Sequence, residues 1–186
     1  MCSPVGHGLA AYTLSWRQSR ALHFNPAVWL PGLWILSVLP DFDFIPGIVV
    51  GHPNIYHHGW MHSITFCVGV AAVIAVSLAL SGKPYALKAG VVCLLVLLSH
   101  LILDCLSKDR MPPYGLQVFW PFSERYVISP VTVFLDVNKG LNNRTFALRL
   151  FTFHNVRTIL VETCILGPLA AWTWFCNRRA GGRGGS

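Results

Sequence analysis

Acidic residues are scarce in this chain: seven Asp and Glu among 186 residues, against fourteen Lys and Arg, for a net charge of +7. Charged side chains of both signs make up only 11%, where soluble domains carry about 25%, and the mean hydropathy is +0.54. That poverty of charge excludes an ordinary soluble domain and predicts a membrane protein. Cys2, Cys67, Cys93, Cys105, Cys164 and Cys176 show no C-x-x-C spacing, and four of these six lie inside apolar runs. Neither a disulfide framework nor a thiolate metal site is therefore expected. The first apolar stretch lacks a basic segment ahead of it and is interrupted by His7, which argues against a cleaved signal peptide. The basic residues are spread singly and no nucleic-acid motif is visible, so the expected partners are membrane lipids and phosphates rather than nucleic acid. No internal repeat is evident, and oligomeric state is not encoded in any visible pattern.

What the chain does contain is apolar runs. Residues 5–16 form a brief one, residues 27–40 a second that resumes at 44–50 after an acidic break, and residues 62–82 and 86–106 two of full length. Each of the latter approaches the ~20 residues that a span needs, and Ser81-Gly82-Lys83-Pro84 supplies a tight turn between them. Residues 158–176 make a last run before Arg178, Arg179 and a Gly-rich tail. The fold expected is all-α, a polytopic transmembrane helical bundle of about four to five segments. A single domain covers 1–179, with 107–157 as an irregular extramembrane loop holding one short hairpin or helix, and 180–186 as a disordered tail. With the connections at Arg17/Arg20, at Lys83/Lys88 and at Arg178/Arg179 on the cytoplasmic side, the positive-inside rule is met three times and the 107–157 loop falls outside.

Parity then gathers the ionisable groups. His7 begins the first segment, Asp41 and Asp43 end the second, His57, His58 and His62 begin the third, and His100 and Asp104 end the fourth. All fall at the outer ends of their segments. His100 and Asp104 are four apart and share one helix face, and burying an unpaired Asp in lipid costs at least ~2.5–3.5 kcal/mol, so a cation between them is expected. His58 and His62 have the same spacing at a helix start. Asp41 and Asp43 point the same way only in a turn or extended backbone, which Pro40 favours; the bland alternative is a solvated loop with capping aspartates. His23, His52 and His154 lie outside the cluster and read as surface histidines. A set rich in imidazole and carboxylate suits a divalent metal, zinc first, with Mn, Fe or Mg as alternatives. Two carboxylates from one turn could bridge two ions about 3.5–4 Å apart, so the count is one or two.

The motifs Gly6-His7, Leu39-Pro40-Asp41-Phe42-Asp43, His57-His58-Gly59-Trp60-Met61-His62-Ser63, Ser99-His100-Leu101-Ile102-Leu103-Asp104 and Trp120-Pro121-Phe122 resemble, in order, those of the YdjM-like (DUF457) family over residues 6–123. Its members are regarded as inner-membrane metal-dependent hydrolases. The resemblance implies His7, Asp41, Asp43, His57, His62, His100 and Asp104 as metal ligands. The chain departs at Phe44, where the family pattern has His, at His58 in place of Arg and at Met61 in place of Thr; His58 is the candidate replacement for the imidazole missing at 44, and the second ion is left open. The order of ligands is also similar to part of the pattern of zinc phospholipase C and P1 nuclease. Those enzymes' later His and Glu ligands have no counterpart here, since His154 and Glu162 have the wrong spacing.

These readings together lead to the expectation of a multi-pass protein of a bacterial-type inner membrane, with its site on the outer face. It would be a metal-dependent hydrolase, phosphodiesterase- or phospholipase-like, acting on a phosphoester of a lipid or lipid-linked substrate. Asp41 or Asp43 would orient or deprotonate the attacking water, and which of them does so is not readable from spacing. Arg110 and Arg125 would hold the substrate's anionic group, with Trp120 anchoring the loop at the interface. Two rivals remain: a proton- or cation-coupled transporter or channel using the same groups, and a non-catalytic protein whose metal staples helices.

Overall fold

The structure, a computed structural model, describes the backbone of residues 1–21 and 25–181 and the side chains of 1–16, 25 and 27–176. Among the described residues there are seven α-helices and no named strand: α1 (Pro4–Ala21), α2 (Pro26–Ser37), α3 (Phe44–Val49), α4 (Ile64–Leu80), α5 (Ala86–Cys105), α6 (Asn143–Leu150) and α7 (Phe153–Gly181). The all-α membrane-type fold expected from composition is what the chain forms. By length and composition α5 and the Phe153–Cys176 stretch of α7 can each cross a membrane, and the bent pair α2–α3 is a third span if it counts as one. α4 is apolar but has only 17 residues, so of the about four to five segments expected, two, or three with the bent pair, meet this criterion among the described residues. His23 and the 182–186 part of the tail lie outside the described residues.

α5 is the centre. Its buried residues recur every three or four positions, through Ala89, Val92, Cys93, Val96, Leu97 and Leu101, to end in His100 and Asp104. That stripe packs against α1, α2 and α4, while α7 packs on α1. In lipid, apolarity alone does not drive helices together, so close steric fit must. At Gly90 an added Cβ would come within 2.7 Å of the Ala75 Cβ. The missing side chain lets α4 approach α5, and the pair is closed by the turn at Gly82, whose φ is +71°.

The break after α2 has a local cause. Pro40 sits in a 3-10 turn, Leu39–Asp43, that bends the α2–α3 pair by 51°. In this turn the Asp41 amide donates to Val38 O, which leaves the Ser37 carbonyl free of the partner it would have in a continuous helix. Ser63 begins α4, its side chain accepting from the Phe66 amide at 3.1 Å. α7 starts at Phe153, five residues ahead of its apolar run. The 107–157 region is irregular as expected, carrying two isolated bridges, Ser107–Phe134 and Leu116–Val127, and the short helix α6.

Candidate metal centre

The α2–α3 break, the turn before α4, the start of α1 and the end of α5 meet at one end of the bundle. There His62, His100, Asp41 and Asp104 each bring one donor atom into a group whose members all lie within 4.8 Å of one another. His62 Nε2 stands 3.2 Å from His100 Nε2, 3.6 Å from Asp41 Oδ1 and 3.7 Å from Asp104 Oδ2. His100 Nε2 stands 3.3 Å from Asp104 Oδ2 and 3.7 Å from Asp41 Oδ1. Tetrahedral ligands about 2.0–2.1 Å from a zinc ion are roughly 3.3 Å apart, so the edges of 3.2 and 3.3 Å have the length that such an ion requires and the three of 3.6–3.7 Å are somewhat longer.

The hydrogen bonds behind the imidazoles fix where the protons go. The freed Ser37 carbonyl takes His100 Nδ1 at 2.7 Å; a carbonyl only accepts, so Nδ1 carries the hydrogen and a neutral ring presents a lone pair at Nε2. His62 Nδ1 lies 2.9 Å from Asp43 Oδ2, close though not aligned as a hydrogen bond, and a lone pair facing that carboxylate would be repelled. With both rings neutral, two Nε2 lone pairs would meet between two carboxylates. A divalent cation between them would remove that repulsion, as would a proton on His62 Nε2 donated to His100 Nε2. Neither oxygen of Asp41 nor Oδ2 of Asp104 has a hydrogen-bond partner among the described residues.

Asp41 and Asp43 point to opposite sides of His62, the first to Nε2 and the second to Nδ1. Asp43 is a hub: it also takes His57 Nδ1 at 2.7 Å and the His58 amide at 3.0 Å. It orients imidazoles in the manner of a carboxylate–histidine–metal triad. His7 is stacked on His100 with ring centroids 3.9 Å apart, and its Nε2 is 3.3 Å from Asp104 Oδ1, an oxygen that also accepts the Cys2 amide at 2.6 Å.

His57, His58 and His62 form a second group able to hold an ion, but not by the route expected. His58 and His62 do not share a helix face, because α4 begins only at Ile64 and residues 60–62 form a 3-10 turn. His58 is instead aimed by a left-handed backbone, φ +67°, unusual for a residue with a side chain. Its Nδ1 lies 3.5 Å from Asp109 Oδ2. Burial pushes the His58 imidazole down to about 3 despite that partner, so it stays neutral. Burial alone would raise the Asp109 carboxyl, but the His58 imidazole and the Gly115 and Met111 amides hold it at about 2. At the position where the family pattern has His, the Phe44 ring stacks on His57 at 3.8 Å.

The expected substrate residues are not gathered. Arg110 pairs with Asp136 at 3.3 Å, Trp120 lies beside Trp60 with centroids 6.2 Å apart, and Arg125 is exposed. His52 is exposed, whereas His154 is partly buried with Nε2 2.9 Å from Asp136 O. Sequence reasoning missed Asp109, Lys139 and Glu162. Lys139 is buried beside the histidines, its ammonium 4.8 Å from the Phe44 ring centroid and lowered by burial to about 8. Glu162 is fully buried in α7, accepting the Ser3 amide at 2.7 Å and the Ser3 hydroxyl. A lone acid within an apolar run was signal enough for Glu162; nothing local marks Lys139.

A family model described as YdjM inner membrane protein matches residues 3–180. No curated protein and no solved structure matches the chain.

Proposed function

Because this chain belongs to the YdjM inner membrane protein family, we propose that it is a membrane-bound metal-dependent hydrolase that cleaves a phosphoester of a lipid or lipid-linked substrate. One observation carries the metal: two imidazole Nε2 atoms 3.2 Å apart, grouped with two carboxylates whose donor atoms all lie within 4.8 Å. The donor set, two nitrogens and two oxygens without thiolate, favours zinc. When bound, a divalent ion acidifies water to near neutrality and polarises a phosphoryl oxygen.

The chain's own residues supply the rest. His62, His100 and Asp104 are the buried donors. Asp41 has the most exposed side chain of the four, at 11%, although both of its oxygens are buried and without hydrogen-bond partners among the described residues; its second oxygen is free to take the proton of an attacking water. Asp43 positions His62 and His57 rather than touching the reacting atoms. The centre sits at helix ends, where a lipid phosphate reaches without leaving the bilayer; this supports a lipid substrate and disfavours a relay at the midplane. A multi-pass arrangement with the site on the outer face follows from the positive-inside rule.

Metal analysis of the purified protein, with a phospholipid and phosphodiester hydrolysis screen, tests the reading. Stoichiometric zinc or manganese, lost in His100→Ala and Asp104→Ala together with hydrolysis, is the expected result. Bound metal with an intact fold and no hydrolysis of any ester would transfer the assignment to a helix staple, a reading favoured by the near-complete burial of the other three donors. Absence of metal from reconstituted wild type would overturn both.

A further inference from the structure

Beside the histidines lies a cavity of about 340 Å³ whose walls carry Lys108, Arg110, Lys139 and Arg149 against two acids, Asp109 and Asp136. Both acids are committed: Asp109 to His58 and the amides of Met111 and Gly115, Asp136 to Arg110 and His154 at 3.3 Å each. No ion pair among the described residues involves Lys108, Lys139 or Arg149. Lys139 is the telling one. It is 6% exposed, and among the described residues its ammonium contacts the Met1 sulfur at 2.9 Å and the face of Phe44. Neither neutralises a buried charge, and an ammonium out of water without a counter-charge is costly. Asp41, Asp104, Asp109 and Asp43 act on Lys139 only from beyond ion-pair distance, so among the described residues no carboxylate is in contact with it and an outside anion can take that place.

We propose that this cavity is an anion subsite that binds a phosphate-type oxyanion, held by Lys108, Lys139 and Arg149 with Arg110 at its margin. Lys139 and Asp109 also wall a small recess reaching His57 and His58, so the anion sits about one side chain from the imidazole cluster. As a substrate subsite this rests on the hydrolase reading; as a binding site it does not. The chemistry is that of a tetrahedral dianion, from either a lipid headgroup or free phosphate.

The test uses the full chain in a phosphate-free maltoside detergent, stripped of metal by a chelator, so that it does not depend on the metal centre. Inorganic phosphate and dioctanoyl phosphatidic acid are titrated calorimetrically, with dioctanoyl phosphatidylcholine as control. One saturable site is expected, its Kd raised about tenfold or more in Lys139→Met and in Arg149→Gln, since a charge-assisted contact is lost. Tighter binding of phosphatidic acid, competing with phosphate, identifies a lipid headgroup; equal or weaker binding identifies free phosphate or a soluble ester, and either supports the subsite. If Lys139→Met does not fold, Arg149→Gln, whose side chain is exposed, decides alone. No saturable binding of either anion, or binding that the folded variants leave unweakened, overturns the proposal. Binding in a protein that never takes up metal would sink the hydrolase reading and leave the subsite standing.

Discussion

His62 is held from both sides, with Asp43 at Nδ1 and the donor group at Nε2, and the two sides predict different losses. Asp43→Asn keeps the size of the side chain and removes its charge, so the imidazoles lose orientation and basicity while every donor atom remains. A drop in metal affinity of about 10–100-fold is expected, measured by competition with a chelating dye, with the fold retained; His100→Ala and Asp104→Ala remove donors and abolish stoichiometric binding. An equal loss in Asp43→Asn would make Asp43 a ligand. Lys139 yields a second prediction at this scale. Its folded value, about 8, lies below the ordinary 10.5 because of burial, so between these two pH values the unfolded chain binds more protons and stability rises with pH. In phosphate-free detergent, Lys139→Met is expected to be more stable than wild type at pH 7.5, and the gap should close as the pH approaches 10.5. A gap indifferent to pH would show that the methionine acts through packing alone.

At the level of elements, the end of α5 was readable because its helix is continuous there: the four-residue spacing of His100 and Asp104 survives into space, and both sit on the buried stripe. The same spacing misled at His58 and His62, where a 3-10 turn and a left-handed residue, not a helix, bring the rings together. Pro40 announced the break, but not that the freed Ser37 carbonyl would orient His100 across 63 residues of sequence. Contacts of that separation leave no local mark, which is why Asp109 and Lys139 stayed hidden. The α4–α5 crossing lends itself to a test of how element packing governs the centre, since His62 comes just before one helix and His100 is carried by the other. Gly90→Ala places a Cβ 2.7 Å from that of Ala75, and overpacking of this kind costs about 1–3 kcal/mol. Reduced thermal stability and weaker metal binding are expected without any ligand being touched, and Ala75→Gly in the same chain should restore both. Failure of the second substitution to rescue would mean that α4 and α5 do not set the His62–His100 distance.

For the molecule as a whole, the question is which way the bundle faces. The donor groups belong to the α2–α3 break, the turn before α4 and the end of α5, all on the side opposite the Gly82 turn that joins α4 to α5. Lys83 and Lys88 flank that turn, and short connections rich in Lys and Arg stay in the cytoplasm. On the proposed topology the long 107–157 region, whose charges weigh little in that rule, would lie across the membrane together with the candidate metal centre and the basic cavity. In a chain with its native cysteines replaced by alanine, Ser123→Cys is expected to react with a membrane-impermeant maleimide added to intact cells, whereas Lys83→Cys should react only after permeabilisation. The reverse pattern would put the centre on the cytoplasmic side and require its substrate to come from the inner leaflet. Labelling of both positions in intact cells would mean that α5, the helix between them, does not cross. The polar end of α5 would then be a surface feature, and the tie between membrane depth and lipid substrate would be lost.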